Sequence, residues 1–341
     1  MMRAWHLPAE FLPRKVLPVP RLSIVIPCLG GATEFEDTLV SVLQNRPAQC
    51  EVIVVHALPY DDPYGLQDEV RFIRVSGKPG LVQLANTGIE AAKSEIVHIL
   101  GCRLTVQEGW AETALQHFKN SQIAAVSPLI VAPHDQQVTA AGVSYGAGGR
   151  RKIVGAGLAQ ANHKLNKLKV AGPTLEAGFY RREALLALGG WQELVGDVAA
   201  DVDLAQSLIA LDLTTVVATD SVLHELRPAA RSAGFAYGRA LERLFWRQYA
   251  SANPAWAIIC HMLVVMFETA TRLPNGDALT TLLGRAVGLM HAGTTSKYRH
   301  SLEQSRQALE AAAEPSTLSM SAAREERMYS APETQQRRRA A

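Results

Sequence analysis

The pattern of apolar and polar positions divides the chain into an alternating first part and a purely helical second part. Short apolar, mostly β-branched runs predict buried strands at residues 22–26, 51–55, 70–75, 96–100 and 123–131. Stretches with helical spacing predict helices at residues 33–43, 80–93 and 105–120. This alternation of strands and helices predicts an α/β fold built on a mostly parallel, doubly wound sheet.

The alternation weakens between residues 142 and 228. Residues 142–157 are rich in glycine and basic side chains, which is compatible with a phosphate-binding loop or with a mobile loop. The second interpretation is favoured, because the segment does not lie between a strand and a helix. Further strands are predicted at residues 175–180 and 214–218, and further helices at residues 182–188 and 198–211.

From residue 231 onward the periodicity is only helical. Arg239, Arg243 and Arg247 fall four residues apart, on one face of a predicted helix. Together with Trp256 and the apolar run at residues 255–267, this face would suit an anionic membrane surface. The alternative is a solvated basic face on helices that pack against the core. The apolar run is too short to span a bilayer comfortably, so no transmembrane helix is predicted.

These patterns predict four segments. Residues 1–20 are punctuated by prolines and predict an extended arm, and residues 21–228 form the α/β domain. Residues 229–313 form a C-terminal helical region. Residues 314–341 lack apolar periodicity and predict a disordered tail.

Composition narrows the class of protein. The chain is 48% hydrophobic and 19% charged, which is typical of a globular protein. A net charge of +2 does not favour nucleic-acid binding. The 4 cysteines are scattered without a C-x-x-C pair, which argues against a zinc site or a disulfide framework and favours a reducing compartment.

The order of the motifs resembles the family-2 glycosyltransferases, which have a glycosyltransferase-A fold. The matching segments are Leu22–Pro27 and Glu51–Val55 (opening strands), Leu84–Ile96 (similar to A-x-N-x-G-I…A-x-G-E-x-I), and Arg181–Leu185, Gly189–Trp191 and Asp201–Leu204 (acceptor half). The resemblance covers residues 22 to about 225. It implies a nucleotide-sugar-binding α/β domain, followed here by a C-terminal helical extension.

Two departures from the family pattern affect the donor side. His56 and Ala57 stand where the family usually has paired acids after the second strand. Gly101-Cys102-Arg103 replaces the D-x-D-like cluster that holds a divalent cation against the diphosphate. A manganese or magnesium cofactor is therefore not firmly predicted, and no metal ligand is assigned, because these ions prefer oxygen ligands.

The resemblance implies that Asp201 is the general base of inverting sugar transfer. The alternative is a carboxylate that stabilises a helix start. Asp203 is an acceptor contact or a structural residue. Arg103, with His224, would replace the metal at the diphosphate, since guanidinium suits phosphate. The alternative for Arg103 is a loop arginine paired with a nearby acid.

Other residues receive weaker assignments. The donor side is assigned four residues, Pro27, His56, Lys78 and Asn86. The alternatives are a tolerated substitution at His56, a turn cap at Asn86 and a Lys78 that faces solvent. Trp191 would stack on an acceptor sugar or pack in the core.

The resulting prediction is a family-2-type inverting glycosyltransferase that uses a nucleotide-sugar donor and a glycan or lipid-linked acceptor, with metal-independent transfer as one option and a bound manganese or magnesium ion as the other. It would be cytoplasmic, with a peripheral position at the inner face of the membrane as an option. The alternative is a catalytically inactive pseudo-glycosyltransferase that acts as a binding or scaffold protein.

Overall fold

The computed structural model describes residues 21–133, 137–146, 148–228, 233–248, 254–290 and 295–313. The predicted arm and tail lie outside these residues. The strands are β1 (Leu22–Cys28), β2 (Cys50–His56), β3 (Val70–Arg74), β4 (Ile96–Leu100), β5 (Leu104–Val106), β6 (Ile123–Val131), β7 (Val138–Ala140), β8 (Gly142–Tyr145), β9 (Arg151–Val154), β10 (Ala177–Arg181) and β11 (Thr214–Glu225). The helices are α1 (Ala32–Asn45), α2 (Leu81–Ala91), α3 (Trp110–Leu115), α4 (Arg182–Ala187), α5 (Ala200–Ala210), α6 (Gly234–Gln248), α7 (Pro254–Arg272), α8 (Ala278–Leu289) and α9 (Thr295–Ala313).

One mixed, mostly parallel sheet forms the centre of the molecule. Its strand order is β3-β2-β1-β4-β10-β6-β11-β5, and β7 pairs with β6. Strands β3, β2, β1 and β4 are mutually parallel, whereas β10 runs antiparallel to both of its neighbours, β4 and β6. The predicted α/β class with a mostly parallel sheet is therefore confirmed.

The apolar runs form strands because both faces of the sheet are covered. Every residue of β1, β4 and β6 is buried. Ile24 on β1 packs in the same apolar cluster as Phe35 of α1, whereas the adjacent Val25 packs with Val82 of α2 on the opposite face. A side chain at Gly88 of α2 would lie 2.2 Å from Val25 Cγ1, so glycine permits this close helix–sheet contact.

Two local predictions were wrong. Residues 105–120 do not form a single helix, because Leu104–Val106 pair with β11 and the helix begins only at Trp110. Gly109, with a φ of 81°, makes the left-handed turn between them. The glycine-rich segment at residues 142–157 contains the β8–β9 hairpin rather than being a mobile loop throughout.

The described residues beyond 233 fold into helices α6–α9, but Arg239, Arg243 and Arg247 do not form one exposed basic stripe. Arg247 is only 9% exposed and donates to Asp203, whereas Arg243 donates to the backbone oxygen of Leu194. Helix α7 continues beyond the apolar run that the sequence suggests. By length and composition, the segment Ala255–Asn275 could cross a membrane. Only 22% of its most apolar stretch is buried inside the protein. The division into four segments stays a prediction.

Candidate active site

A cleft of about 480 Å³ opens beyond the carboxyl ends of β4 and β11. Arg103 follows β4, Glu225 ends β11, Glu176 immediately precedes β10, and Asp201 lies in the first turn of α5. Arg151, on β9, faces the same space. In open α/β sheets ligands bind at this edge, so the topology makes the cleft the candidate site.

Arg103 is held by two carboxylates in the cleft. It donates through Nε and Nη2 to Glu176 and through Nη1 to Glu225 Oε1 at 2.8 Å. Its side chain is only 14% exposed. Burial alone would lower the pKa of the guanidinium, but Glu176 and Glu225 raise it above its usual value. Pairing with nearby acids, one of the two alternatives for Arg103, is thus present in this structure.

Asp201 is buried and bound by an arginine at both oxygens. Arg151 donates from Nε to Oδ1 at 3.0 Å and from Nη2 to Oδ2 at 2.6 Å. The backbone N–H of Val202 also donates to Oδ1, at 2.8 Å. Burial would lower the pKa of Arg151, but the Asp201 carboxylate raises it. Both carboxylate oxygens of Asp201 therefore accept a hydrogen bond from Arg151 in this structure.

The carboxylates of the cleft do not fit a divalent cation held by the protein. Such an ion needs several oxygen ligands, and the two carboxylates nearest the end of β4 are both ion-paired to Arg103. Among the described residues, no group of three or more His, Cys, Asp or Glu side chains is placed to hold a metal ion.

Three residues assigned to sugar or nucleotide contacts lie in packed surroundings outside the cleft. Trp191 is 1% exposed and packs edge-on against Tyr180, which matches its core-packing alternative. Asn86 donates to the backbone oxygen of Trp191 and accepts from its N–H, both at 2.9 Å. Asp203 is buried beneath α6, where burial raises the pKa of its carboxyl despite the neighbouring Arg247.

The remaining assigned residues are not among those that line the cleft. Pro27 is buried in β1 beside Val55. His56 is 4% exposed and its Nδ1 lies 2.6 Å from the backbone oxygen of Leu58. Lys78 is exposed on the loop before α2. His224 lies on β11, where desolvation lowers the pKa of its imidazole. The structure thus brings together only Arg103 and Asp201 among the residues assigned from the sequence.

The sequence did not identify the partners of these two residues. Arg103 lies 73 positions from Glu176 and 122 from Glu225 along the chain. The only signal for Arg151 was its place in a basic, glycine-rich segment. Asp197 also lines the cleft, and there it accepts from the N–H groups of residues 81 and 82 at 2.9 Å, capping α2 from a distant loop.

The fold is of the glycosyltransferase-A type. The crystal structure of GalNAc-T7 with UDP, GalNAc and Mn²⁺ matches with a TM-score of 0.53 and 16% sequence identity. The match covers 67% of this chain and 48% of that chain. The mannosyltransferase PcManGT from Pyrobaculum calidifontis, in complex with GDP-Man and Mn²⁺, has a TM-score of 0.47 and 16% identity, over 84% of this chain and 86% of that chain.

Two sequence relatives are polypeptide N-acetylgalactosaminyltransferases. The chain is 31% identical to mouse polypeptide N-acetylgalactosaminyltransferase 12 over 123 residues, and 28% identical to the human probable polypeptide N-acetylgalactosaminyltransferase 8 over 134 residues. These alignments cover 33% and 34% of this chain but only 21% of each relative. No protein-family model matches the chain. The comparisons support a glycosyltransferase-A protein as the class and do not show family 2 specifically.

Proposed function

We propose that the chain transfers a sugar from a nucleotide-sugar donor to a hydroxyl group of a glycan or lipid-linked acceptor. The observation that carries the proposal is the meeting of Arg103, Arg151 and Asp201 in one cleft at the ligand-binding edge of the sheet. The similarity of the chain to polypeptide N-acetylgalactosaminyltransferases, over a third of its length, also supports sugar transfer as the reaction.

In this proposal, Arg103 receives the diphosphate of the donor. As the bond between the anomeric carbon and the phosphate oxygen breaks, negative charge grows on the leaving nucleoside diphosphate. The planar guanidinium suits phosphate oxygens as well as it suits carboxylates. Glu176 has a side chain that is 30% exposed, so it can turn towards solvent when a phosphate takes its place on Arg103.

Asp201 acts as the base once Arg151 moves. The diphosphate attracts Arg151, a second permanent cation in the cleft, and so frees a carboxylate oxygen of Asp201. The acceptor hydroxyl gives its proton to that oxygen while its own oxygen attacks the anomeric carbon from the face opposite the diphosphate. One C–O bond forms, one breaks, the nucleoside diphosphate leaves, and the configuration of the sugar is inverted.

Donor binding tests the role of Arg103. Thermal shift and calorimetry on the full chain, with a panel of nucleoside diphosphates and nucleotide sugars, should detect a donor that still binds in excess EDTA. Arg103→Ala should weaken that binding by about 10- to 100-fold, the equivalent of one charge-assisted hydrogen bond. Arg103→Lys should restore part of it, because an ammonium group makes no planar two-point contact. Arg306→Ala, at an exposed arginine remote from the cleft, is the matched control.

Each contrary result has a distinct meaning. The GalNAc-T7 structure contains Mn²⁺, so loss of binding in EDTA would show that the donor brings a divalent cation into the cleft. Equal donor affinity in Arg103→Ala would remove Arg103 from the site. Failure to bind any nucleotide, with or without manganese, would favour the non-catalytic alternative.

Turnover tests the role of Asp201. Asp201→Asn retains the shape of the side chain but removes its capacity to accept a proton, so transfer should fall by about 100-fold or more. Donor affinity should change little. Asp203→Asn alters an equally buried carboxylate outside the cleft and should leave turnover per folded molecule unchanged. Wild-type turnover in Asp201→Asn would exclude the residue as the base.

A further inference from the structure

Helices α7 and α8 have their polar side chains inside and their apolar side chains outside. On α7, His261, Glu268 and Arg272 are buried, whereas Leu263 is 57% and Met266 is 66% exposed. On α8 the buried positions are mainly small residues and Arg285, whereas Leu279 is 69% and Leu283 is 53% exposed. A helix that packs on a water-soluble protein places its apolar stripe towards the core. These two helices do the reverse.

The buried polar groups satisfy one another. Arg285 donates to Glu242 of α6 at 3.0 Å and to Glu268 of α7 at 2.6 Å. The two ring nitrogens of His261 lie 3.1 Å from Glu242 Oε2 and 2.9 Å from the backbone oxygen of Gly148. This network fixes which faces of α7 and α8 turn inward, because breaking it would leave charges buried and unpaired.

The outward face of the pair carries no charged side chain. Within residues 255–290, the acidic and arginine side chains are Glu268, Arg272, Asp277 and Arg285. Each is at least half-buried and forms an ion pair within the protein. An exposed helix in water normally presents charged residues outward, so a face dominated by Leu, Ile and Met with no charged side chain indicates a different surrounding medium.

Helices α6 and α8 also pack in the manner of helices in lipid. Gly238 of α6 and Gly284 of α8 lie at their crossing, where an added Cβ would come within 2.0 Å and 2.1 Å of backbone oxygens on the other helix. Each belongs to a G-x-x-x-G pair, Gly234 with Gly238 and Gly284 with Gly288. Close contact through small residues is typical of helix association where no hydrophobic effect drives it.

Arginines lie at the edges of the apolar face. The Arg150 guanidinium carbon is 5.1 Å from the ring centre of Phe267, which is 53% exposed on α7. The Arg239 guanidinium carbon lies 5.7 Å from the ring centre of Phe235, which is 42% exposed on α6. The backbone of Phe235 also contacts α8 at Gly284. Cations that flank an uncharged apolar face match the negatively charged headgroups around an acyl layer.

We propose that the outward face of α7 and α8 docks into one leaflet of an anionic lipid bilayer. Helix α8 has 12 residues and is therefore about 18 Å long, less than the roughly 30 Å of the hydrocarbon core. Helix α8 is also packed against α6, which in turn contacts the sheet domain through α5. Helix α7 is long enough by itself to cross a membrane, but Glu268 ties it to Arg285 of α8, so the pair lies along the membrane surface. This proposal does not depend on the glycosyltransferase activity.

Vesicle flotation of the full chain tests the apolar face. The protein should float with vesicles of phosphatidylcholine and phosphatidylglycerol at 7:3. The variant Leu263→Gln/Met266→Gln/Leu279→Gln/Leu283→Gln should lose at least about 100-fold in partitioning, since burying each such side chain favours binding by a factor of ten or more. The control Val40→Gln/Leu58→Gln/Leu186→Gln/Ile209→Gln changes equally apolar exposed residues of the sheet domain and should float like wild type.

Depth and charge give two further measurements. Trp256 is 58% exposed on α7, so lipids brominated on the acyl chain should quench its fluorescence, and this quenching should disappear in Trp256→Phe. Arg150→Gln and Arg239→Gln should each weaken binding to anionic vesicles by about 5-fold and leave binding to neutral vesicles unchanged.

Three results would overturn the proposal. One is wild-type protein that fails to float with any vesicle. Another is equal loss of flotation in the apolar-face variant and its control. The third is a dimer in lipid-free solution that the apolar-face variant dissociates, while vesicles bind neither form, because the face would then join two copies of the chain.

Discussion

The sheet domain and helices α7 and α8 distribute polarity in opposite ways. In the sheet domain, β1, β4 and β6 bury apolar side chains on both faces, and the covering helices turn polar residues outward. Helices α7 and α8 instead bury Glu268 and Arg285 against Glu242 of α6, and their outward face is apolar. The first arrangement gains stability from burying apolar area away from water. The second gains little in this way, so its packing depends on ion pairs and on close backbone contact.

The contrast extends to the buried histidines of the two regions. His98 of β4 is fully buried, stacks on Phe179, and desolvation lowers its pKa to about 3. It is therefore neutral at any physiological pH. His261 of α7 lies between Glu242 and the backbone oxygen of Gly148, in an ionic environment. The same residue type is an aromatic core residue in one region and part of a charge network in the other.

Removing the positive charge of Arg285, which pairs with Glu242 and Glu268, should have the largest effect on stability. Arg285→Met leaves Glu242 and Glu268 buried without their shared partner, so it should cost about 3–5 kcal/mol of unfolding free energy. Arg306→Met is the control, because its pair with Asp212 is exposed and should contribute less than about 1 kcal/mol. Chemical denaturation monitored by circular dichroism measures both. Equal effects would show that the network does not hold the helices.

Filling the helix crossing should have the next largest effect. Gly284→Ala places a methyl group against the backbone of α6, which cannot yield as a side chain can, and should cost about 3 kcal/mol. Gly146→Ala is the control, since nothing lies within 4 Å of its added Cβ. Thermal unfolding of the two variants compares them. A neutral Gly284→Ala would mean that α6 and α8 are less closely packed than the structure shows.

A pH titration should give the smallest of the three effects and belongs to the sheet domain. Because the folded pKa of His98 is about 3 and its unfolded pKa is near 6.5, the unfolded chain binds the extra proton between these values. The contribution of neutral His98 to the unfolding free energy is complete above pH 6.5. It falls by about 1.4 kcal/mol for each pH unit below that value, so about 2 kcal/mol of stability is lost by pH 5. His98→Asn cannot be protonated and should flatten that part of the stability profile. His163→Asn, at an exposed histidine, should not change it.

The sequence predicted the parts of the fold that depend on local pattern. The runs at residues 22–26 and 96–100 predicted strands that the structure contains, because a segment buried on both faces must be continuously apolar. The strand at residues 104–106 was missed, since it is too short to show a period and forms only by pairing with β11. Likewise, the hairpin at residues 142–154 could not be found from glycines and arginines alone.

For the candidate site, the sequence placed Arg103 and Asp201 at the ends of elements that meet at one edge of the sheet. It could not show that Glu176 and Glu225 hold the first, or that Arg151 holds the second, because each partner lies 50 or more positions away in the chain. Ion pairs of this kind depend on strand order and on loop geometry. Those features have no local signature.

The C-terminal helices show the same division most clearly. Helical period and apolar composition in residues 254–289 are properties of the sequence, and they determined that this region is helical. The tertiary structure alone decided which face of each helix turns inward. The physical reason is that Arg285 finds its carboxylates on two other helices and glycines let α6 and α8 approach, so the charges are buried and the apolar side chains remain outside.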